Sequence, residues 1–113
     1  MKRGTQAERR AAWHYRVRGY RILGRNAWAG GHELDVVARR GRRLVFCEVK
    51  EKVGERFGDP LEMVGPEKQR RLGRAAEAWL AEHPELEGLE CSFEVVAVRD
   101  GKLERLRDAF TPP

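Results

Sequence analysis

Two acidic segments that follow one another closely along the chain could together bind a metal ion. Glu33 and Asp35 lie in the first segment, and Glu48 and Lys50 lie in the second. Carboxylate oxygens, backbone carbonyls and water are the ligands that Mg²⁺ and Mn²⁺ prefer. A lysine beside such an ion can orient or deprotonate an attacking water. The combination is therefore typical of metal-dependent phosphodiester hydrolysis.

The two segments are predicted to form the strands of a hairpin, residues 33–38 and 44–50. Because side chains alternate along a strand, Glu48 and Lys50 share one face of the second strand. Phe46 precedes them on that face, and the rest of this strand is markedly apolar. An exposed Glu-x-Lys pair is also common as a solvated ion pair, but the apolar setting favours a functional site.

The register of the hairpin decides which carboxylate faces Glu48. A two-residue turn at 41–42 places Asp35 opposite Glu48, whereas a turn one residue earlier places Glu33 there. In either register two carboxylates meet across the strand pair, which destabilises a sheet unless a cation compensates. The neighbouring lysine is one candidate for that cation, and a bound divalent ion is the other.

A further acid, Glu8, lies near the start of a helix predicted over residues 5–18. Thr5 and Glu8 have the spacing of a capping box, which would stabilise the helix start. Glu8 also lies one turn before Ala11, on the stripe expected to face the sheet, where its carboxylate could reach the strand acids. The two roles are compatible, and both remain open.

Basic residues mark the surfaces expected to contact nucleic acid. The first 43 residues hold twelve Lys and Arg against three acids, a net charge of +9, while the whole chain carries +5. Such a concentration favours a polyanionic partner, here expected to be DNA. Tryptophans are more often core or packing residues than base-stacking surfaces, which applies to Trp13, Trp28 and Trp79. Trp28, in a Gly/Ala loop near the proposed site, is the exception to test for stacking. A solvated surface is the alternative for most of the candidate contact residues, which are Arg39, Arg40, Arg42, Arg43, Lys68, Gln69 and Arg71.

The pattern of elements predicts an α/β fold. A short strand near residue 21 and a loop follow the first helix, and the hairpin and a long loop over 51–65 come next. A second helix begins at Pro66, and a strand over 91–98 turns at Asp100-Gly101 into a short final strand. The order α-β-β-β-α-β(β) predicts a mixed central sheet flanked by the two helices.

Length and composition indicate one domain spanning residues 1–113, with a core of about 4–106 and a tail over 107–113. Cys47 and Cys91 lie in apolar runs, so both are expected to be buried free thiols rather than zinc ligands. No apolar stretch has the length of a membrane span or a signal peptide. We therefore expect a cytoplasmic protein without membrane contact.

The ordered series of motifs resembles the YraN family of small bacterial proteins. The resemblance covers about residues 4–98 and is far more specific than any single motif. It rests on Glu8 with Ala11-Ala12, Gly19-Tyr20-Arg-Ile-Leu23, Arg25-Asn26, Glu33-Leu-Asp35-Val-Val37, Leu44-Val-Phe-Cys-Glu-Val-Lys50, Phe57-Gly58-Asp-Pro60, Lys68 to Leu72 and Phe93-Glu-Val-Val96.

The family looks related to archaeal Holliday-junction resolvases within the PD-(D/E)xK nuclease superfamily, which implies a restriction-endonuclease-like fold and a Mg²⁺ ion. The resemblance implies that Asp35, Glu48 and Lys50 are the motif residues, with Glu33 and Glu8 as neighbouring acids. Asp35, Glu48 and the backbone carbonyl of Val49 are then the expected metal ligands. Glu51-Lys52 departs from the usual Thr-Arg pair, which puts any substrate contact of that pair in doubt.

Three functional hypotheses follow. The first is a metal-dependent endonuclease acting on branched or structured DNA, as a homodimer by analogy with resolvases. The second is a nucleic-acid-binding protein of the same fold without significant cleavage. The third is an interaction module in which the carboxylates form an ion-pair network with Lys50.

Overall fold

Five strands form one mixed sheet in the computed structural model, which describes residues 5–52 and 64–112. The strands lie in chain order, and only β3 and β4 are parallel neighbours. The predicted α/β architecture is confirmed, and it is consistent with a nuclease-like fold. The elements are α1 (Gln6–Arg16), β1 (Arg21–Ala29), β2 (His32–Arg40), β3 (Arg43–Lys52), α2 (Pro66–Ala81), a 3-10 turn (Pro84–Leu86), β4 (Glu90–Arg99) and β5 (Lys102–Phe110).

Each helix covers one face of the sheet. The core on the α1 side includes Ala11 and Tyr15 of the helix and Val36 and Val45 of the strands. The core on the α2 side contains Leu72, Ala75, Ala76 and Trp79 of the helix, packed against strand residues that include Val37 and Phe46. Because the parallel pair β3 and β4 needs a crossover connection, α2 lies between them in the chain and packs across the sheet.

The helix boundaries follow the capping signals in the sequence. Thr5 is the N-cap of α1, and its side chain accepts a hydrogen bond from the Glu8 N–H. Pro66 is the first residue of α2, where its missing N–H and fixed φ are tolerated. The hairpin of β2 and β3 and the turn at Asp100-Gly101 are also confirmed. Neither helix in the described ranges is long and apolar enough to cross a membrane.

Strand β1 is longer than predicted. It continues from Arg21 to Ala29, although the small residues after Asn26 indicated a loop. The register with β2 shifts between Ile22 and Gly24, and Asn26 adopts a positive φ of 51°. An edge strand tolerates such irregularities because one of its sides is not hydrogen-bonded to a neighbour.

Three other expectations differ from the structure. Trp13 and Cys91 are exposed rather than buried, because Trp13 faces outward from α1 and Cys91 lies near the start of β4. The last strand, β5, extends to Phe110, where the Phe110 ring stacks on Phe93 with centroids 5.2 Å apart. Most of the predicted loop over 51–65, including the motif at 57–60, lies outside the described residues.

A buried charged network fastens α1 to the sheet. The fully buried Glu94 carboxylate on β4 accepts a hydrogen bond of 2.6 Å from the Tyr15 hydroxyl. Arg105 on β5 donates to both oxygens of Glu94, at 2.7 and 3.2 Å, and to the Tyr20 hydroxyl at 3.2 Å. Burial opposes the charge of Arg105, but these hydrogen bonds outweigh it and raise the pKa of the guanidinium. The network thereby fixes the helix that carries Glu8.

Candidate active site

Three carboxylates meet where α1 approaches the beginning of β2. Oxygens of Glu8, Glu33 and Asp35 all lie within 4.8 Å of one another. Glu8 and Asp35 are buried, with exposures of 3% and 4%, and Glu33 is half-buried. Three ionised carboxylates at this separation repel one another, and a cation bound among them would relieve the repulsion. The cluster, hereafter the acidic triad, could hold a metal ion.

Glu8 has both of the roles left open by the sequence. The Thr5 N–H donates to Glu8 Oε1 at 2.8 Å, and the Glu8 N–H donates to Thr5 Oγ1 at 3.0 Å, so the capping box is complete. The same carboxylate belongs to the acidic triad. Ala7 and Ala11 are almost fully buried beside it, and their small side chains allow α1 to approach the sheet closely. The cap thus orients a carboxylate that also faces the strands.

Asn26 on β1 links two members of the triad. Its amide is oriented with the nitrogen toward the neighbouring carboxylates, because ionised carboxylates can only accept hydrogen bonds. In that orientation the Asn26 nitrogen lies 3.0 Å from Glu33 Oε1 and 3.1 Å from Glu8 Oε1. Sequence reasoning assigned Asn26 no role. The available signal was its place beside Arg25 in the motif series, together with the tolerance of asparagine for positive φ.

Asp35 connects the triad to the end of β3. Its Oδ2 accepts a hydrogen bond of 2.9 Å from the Val49 N–H. The strand pairing runs from Arg40 opposite Arg43 to Val36 opposite Cys47, which is the register of the turn at 41–42. Extending it by one residue places Asp35, not Glu33, opposite Glu48. Glu33 pairs with Trp28 on β1.

The alternation of side chains is interrupted next to Asp35. Leu34 packs in the core on the α2 side, whereas Val36 packs in the core on the α1 side. Strict alternation would place these two on one face. The interruption lies across from Asn26, whose positive φ distorts the neighbouring edge strand. Asp35 consequently lies within reach of Glu8 on α1.

Glu48 is held by two lysines. Its carboxylate is 5% exposed, and its Oε2 lies 3.4 Å from Lys50 Nζ and 3.0 Å from Lys68 Nζ. Lys50 follows on the same strand, and Lys68 comes from the first turn of α2, where the apolar stripe directs it to the sheet. The structure therefore groups Asp35 with Glu8 and Glu33, and Glu48 with the lysines. The predicted joint binding of one ion by Asp35 and Glu48 remains a prediction.

Two titratable groups border the site. Burial lowers the pKa of His32, the nearby Lys68 lowers it further, and Glu48 opposes the change. Burial also raises the pKa of the Cys47 thiol, and the carboxylates of Asp35 and Glu48 contribute in the same direction. Charged groups of the site therefore act on both His32 and Cys47. Cys47 is a buried free thiol, as expected.

The arginines of the hairpin link lie at the other end of the strands. Asp35 and Arg40 are five residues apart on β2, which corresponds to roughly 17 Å. All four arginines make contacts within the chain. Arg39 donates to the Gly41 carbonyl, Arg40 to the Arg18 carbonyl, Arg42 to the Gly88 carbonyl, and Arg43 to the Asp108 carboxylate. A single bound phosphate could not touch both this group and the acidic triad.

The other predicted contact residues lie on α2. Gln69 Nε2 donates to the Val64 carbonyl at 3.0 Å, which joins the start of the helix to the residues before it. Arg71 is half-exposed, and its Nε lies 3.5 Å from Glu67. Lys68 is the member of this set that reaches the site.

Comparison with known proteins identifies relatives over nearly the whole chain. Residues 7–98 match the uncharacterised protein family UPF0102. A UPF0102 protein of Magnetococcus marinus is 41% identical over 111 residues, which covers 95% of this chain and 90% of the relative. A UPF0102 protein of Alkalilimnicola ehrlichii is 36% identical over 113 residues, with 100% and 90% covered, and one of Chlorobium phaeobacteroides is 39% identical over 117 residues, with 95% and 92% covered.

Proposed function

The chain belongs to the uncharacterised protein family UPF0102, and from that premise we propose that it is a metal-dependent endonuclease that hydrolyses phosphodiester bonds in branched or structured DNA. The observation that carries the proposal is the meeting of Glu8, Glu33 and Asp35 beside Glu48 and Lys50. Acids from α1 and β2 meet in the acidic triad, and Asp35 connects the triad to the end of β3, where Glu48 and Lys50 lie. This is the set of groups that phosphodiester hydrolysis needs.

The donor set fits a hard divalent cation, Mg²⁺ or Mn²⁺, because all of its groups are oxygens. Asp35, Glu48 and the Val49 carbonyl would hold the ion, with Glu8 and Glu33 as neighbouring carboxylates. When bound, such an ion supplies a more acidic water and neutralises charge on the phosphate.

Lys50 would act on the attacking water. Its ammonium nitrogen lies 3.4 Å from Glu48, so it is already directed toward the acids. In its charged form it can orient a water, and in its neutral form it can accept a proton from one. Lys68, on α2, contacts the same oxygen of Glu48 and would keep that carboxylate in position. It could also contact a phosphate oxygen.

The substrate class rests on charge and on resemblance. The net charge of +9 over the first 43 residues favours a polyanion, and the same segment carries three acids that all belong to the acidic triad. Likeness to Holliday-junction resolvases favours branched DNA and a two-subunit arrangement, which is a homodimer of this chain.

Cleavage of defined DNA substrates tests the proposal. Four-way junctions, flaps and linear duplexes are incubated with Mg²⁺, Mn²⁺ or EDTA. We expect metal-dependent nicking of the branched substrates that disappears in Glu48→Ala and Lys50→Ala. The matched control is Glu67→Gln, which removes an exposed carboxylate paired only with nearby arginines of α2 in the described contacts. Equal nicking by the wild type and both site variants would overturn the proposal.

A second candidate function is supported by the two lysines around Glu48. A buried carboxylate paired in this way is satisfied without a metal ion, as in a structural ion-pair network. The protein would then bind nucleic acid through its basic surface without cutting it. Salt-dependent binding of DNA that is unchanged by metal, with no nicking of any substrate, is the outcome that favours this function.

A further inference from the structure

Trp28 is a large apolar side chain that the fold leaves in water beside the acidic triad. Its exposure is 71%, although tryptophan usually contributes to a core. It lies directly opposite Glu33 in the pairing of β1 with β2. Directly opposite residues have Cβ atoms roughly 5 Å apart on the same face. The indole is therefore adjacent to one of the three triad carboxylates.

The backbone that carries Trp28 is held firmly on both sides. Ala27 pairs with Leu34 and Ala29 pairs with His32, so Trp28 lies within a regular stretch of the strand pair. Ala29 is almost fully buried in the core on the α2 side. The exposed ring thus projects from a fixed position, which suits a side chain that presents a flat surface to a ligand.

The surroundings of Trp28 favour a nucleobase as the ligand. Trp28 does not belong to either core, whereas the two other large exposed apolar residues of the described chain, Trp13 and Val17, line one groove along α1. A protein partner needs an apolar area of several hundred Å², which a single ring does not provide. A base needs only one aromatic face, and any base can stack on it. A divalent cation held by the acidic triad next to the ring would contact the adjoining phosphate.

We infer that Trp28 stacks on an unpaired nucleobase next to the phosphate that is cut, so that the substrates are DNAs with unpaired nucleotides at the cleavage point. This inference rests on the proposed nuclease function. A base within a continuous duplex is stacked on its neighbours and hides its faces from the ring. Flaps, forks and open junctions expose such faces. Trp28 would therefore discriminate between them and intact duplex.

Binding of an oligothymidine of about 15 nucleotides in EDTA tests the stacking without any cleavage. Fluorescence anisotropy of a labelled oligonucleotide gives the affinity. Quenching of tryptophan emission by the oligonucleotide reports contact between a tryptophan ring and a base. Trp28→Ala should weaken binding by about 10- to 100-fold and abolish the quenching, given the usual contribution of one stacked base. Trp28→Phe should retain most of the affinity. The matched control is Trp13→Ala, which removes an equally prominent exposed ring on the outer face of α1. It should leave unchanged the affinity and the decrease in emission that the oligonucleotide causes, although the total emission falls.

The outcomes separate this inference from the proposed function. Loss of single-strand binding in Trp28→Ala, without nicking by the wild type, supports the stacking and counts against the nuclease. Nicking with an unchanged substrate preference in Trp28→Ala overturns the stacking and leaves the nuclease intact. A Trp28→Ala variant that binds the oligonucleotide like the wild type but has a smaller mass by light scattering also overturns the stacking. Trp28 would then lie in a contact between two copies of the chain. Equal losses in Trp13→Ala and Trp28→Ala would overturn it as well.

Discussion

Replacement of Arg105 by methionine should destabilise the protein strongly, because it leaves a buried carboxylate without its main partner. Arg105 is almost fully buried, and it donates two hydrogen bonds to Glu94, which has no exposed surface. Methionine fills a similar apolar volume but carries no charge. After the change Glu94 retains the Tyr15 hydroxyl, and the nearest arginine is Arg43 at 4.0 Å.

The size of the effect follows from the burial of the pair. Removing one partner of a buried ion pair costs about 3–5 kcal/mol, mainly because the remaining charge has been taken out of water. With a denaturant dependence of about 1.5 kcal/mol per molar urea, the loss corresponds to a midpoint roughly 2–3 M lower. The double variant Glu94→Gln with Arg105→Met removes both charges and keeps an acceptor for Tyr15. It should recover most of the loss.

Urea unfolding of the wild type, both single variants and the double variant measures the coupling. Additive losses in the double variant, or a loss below about 0.5 kcal/mol in Arg105→Met, would refute the reasoning.

Three smaller effects follow from other contacts. Thr5→Ala removes the capping hydrogen bond and should cost about 1 kcal/mol in the free energy of unfolding, and no change in the urea midpoint would argue against the cap. Gly30→Ala should cost at least about 2 kcal/mol, because φ is +57° and the new Cβ would lie 2.8 Å from the Arg74 carbonyl oxygen. Gly31→Ala, with φ of +79° and open space, should cost only about 1 kcal/mol, and equal losses would contradict the steric argument. Burial lowers the pKa of His14 from 6.5, so the unfolded state binds more protons below about pH 6.5 and the wild type loses stability as the pH falls through the folded-state pKa. His14→Asn should lose less stability over that window, which unfolding midpoints at pH 5 to 7.5 would reveal.

Local patterns in the sequence predicted the elements that carry most of the site. The spacing of Thr5 and Glu8 specified a capping box, and the apolar stripe from Leu72 to Trp79 specified α2 and the face on which Lys68 lies. The capping box and the apolar stripe can both be read from residues close together in the sequence. The hairpin was equally clear, but its turn allowed two registers. The structure has the register in which Val36 pairs with Cys47, whose continuation places Asp35 opposite Glu48, and Gly41 has a positive φ of 60° in the turn.

The remaining features depend on contacts between distant segments, which local patterns do not encode. The small residues after Asn26 indicated a loop, yet pairing with β2 supplies the hydrogen bonds that keep β1 extended. Strict alternation from Val36 would have placed Leu34 on the α1 face of the sheet and Asp35 on the α2 face. The distortion beside Asn26 reverses this arrangement. Glu94 looked like an ordinary strand residue, because its partner Arg105 lies on another strand.

Direct measurement of Mn²⁺ binding tests the central claim, that the carboxylates around Asp35 form a metal site. Electron paramagnetic resonance of free Mn²⁺ during a titration gives the number of bound ions and their affinity. We predict about one bound Mn²⁺ per chain in the wild type and in Glu67→Gln, and its loss in Asp35→Asn, which keeps an acceptor for the Val49 N–H. Equal binding by the wild type and Asp35→Asn, or no binding by the wild type, would contradict the claim.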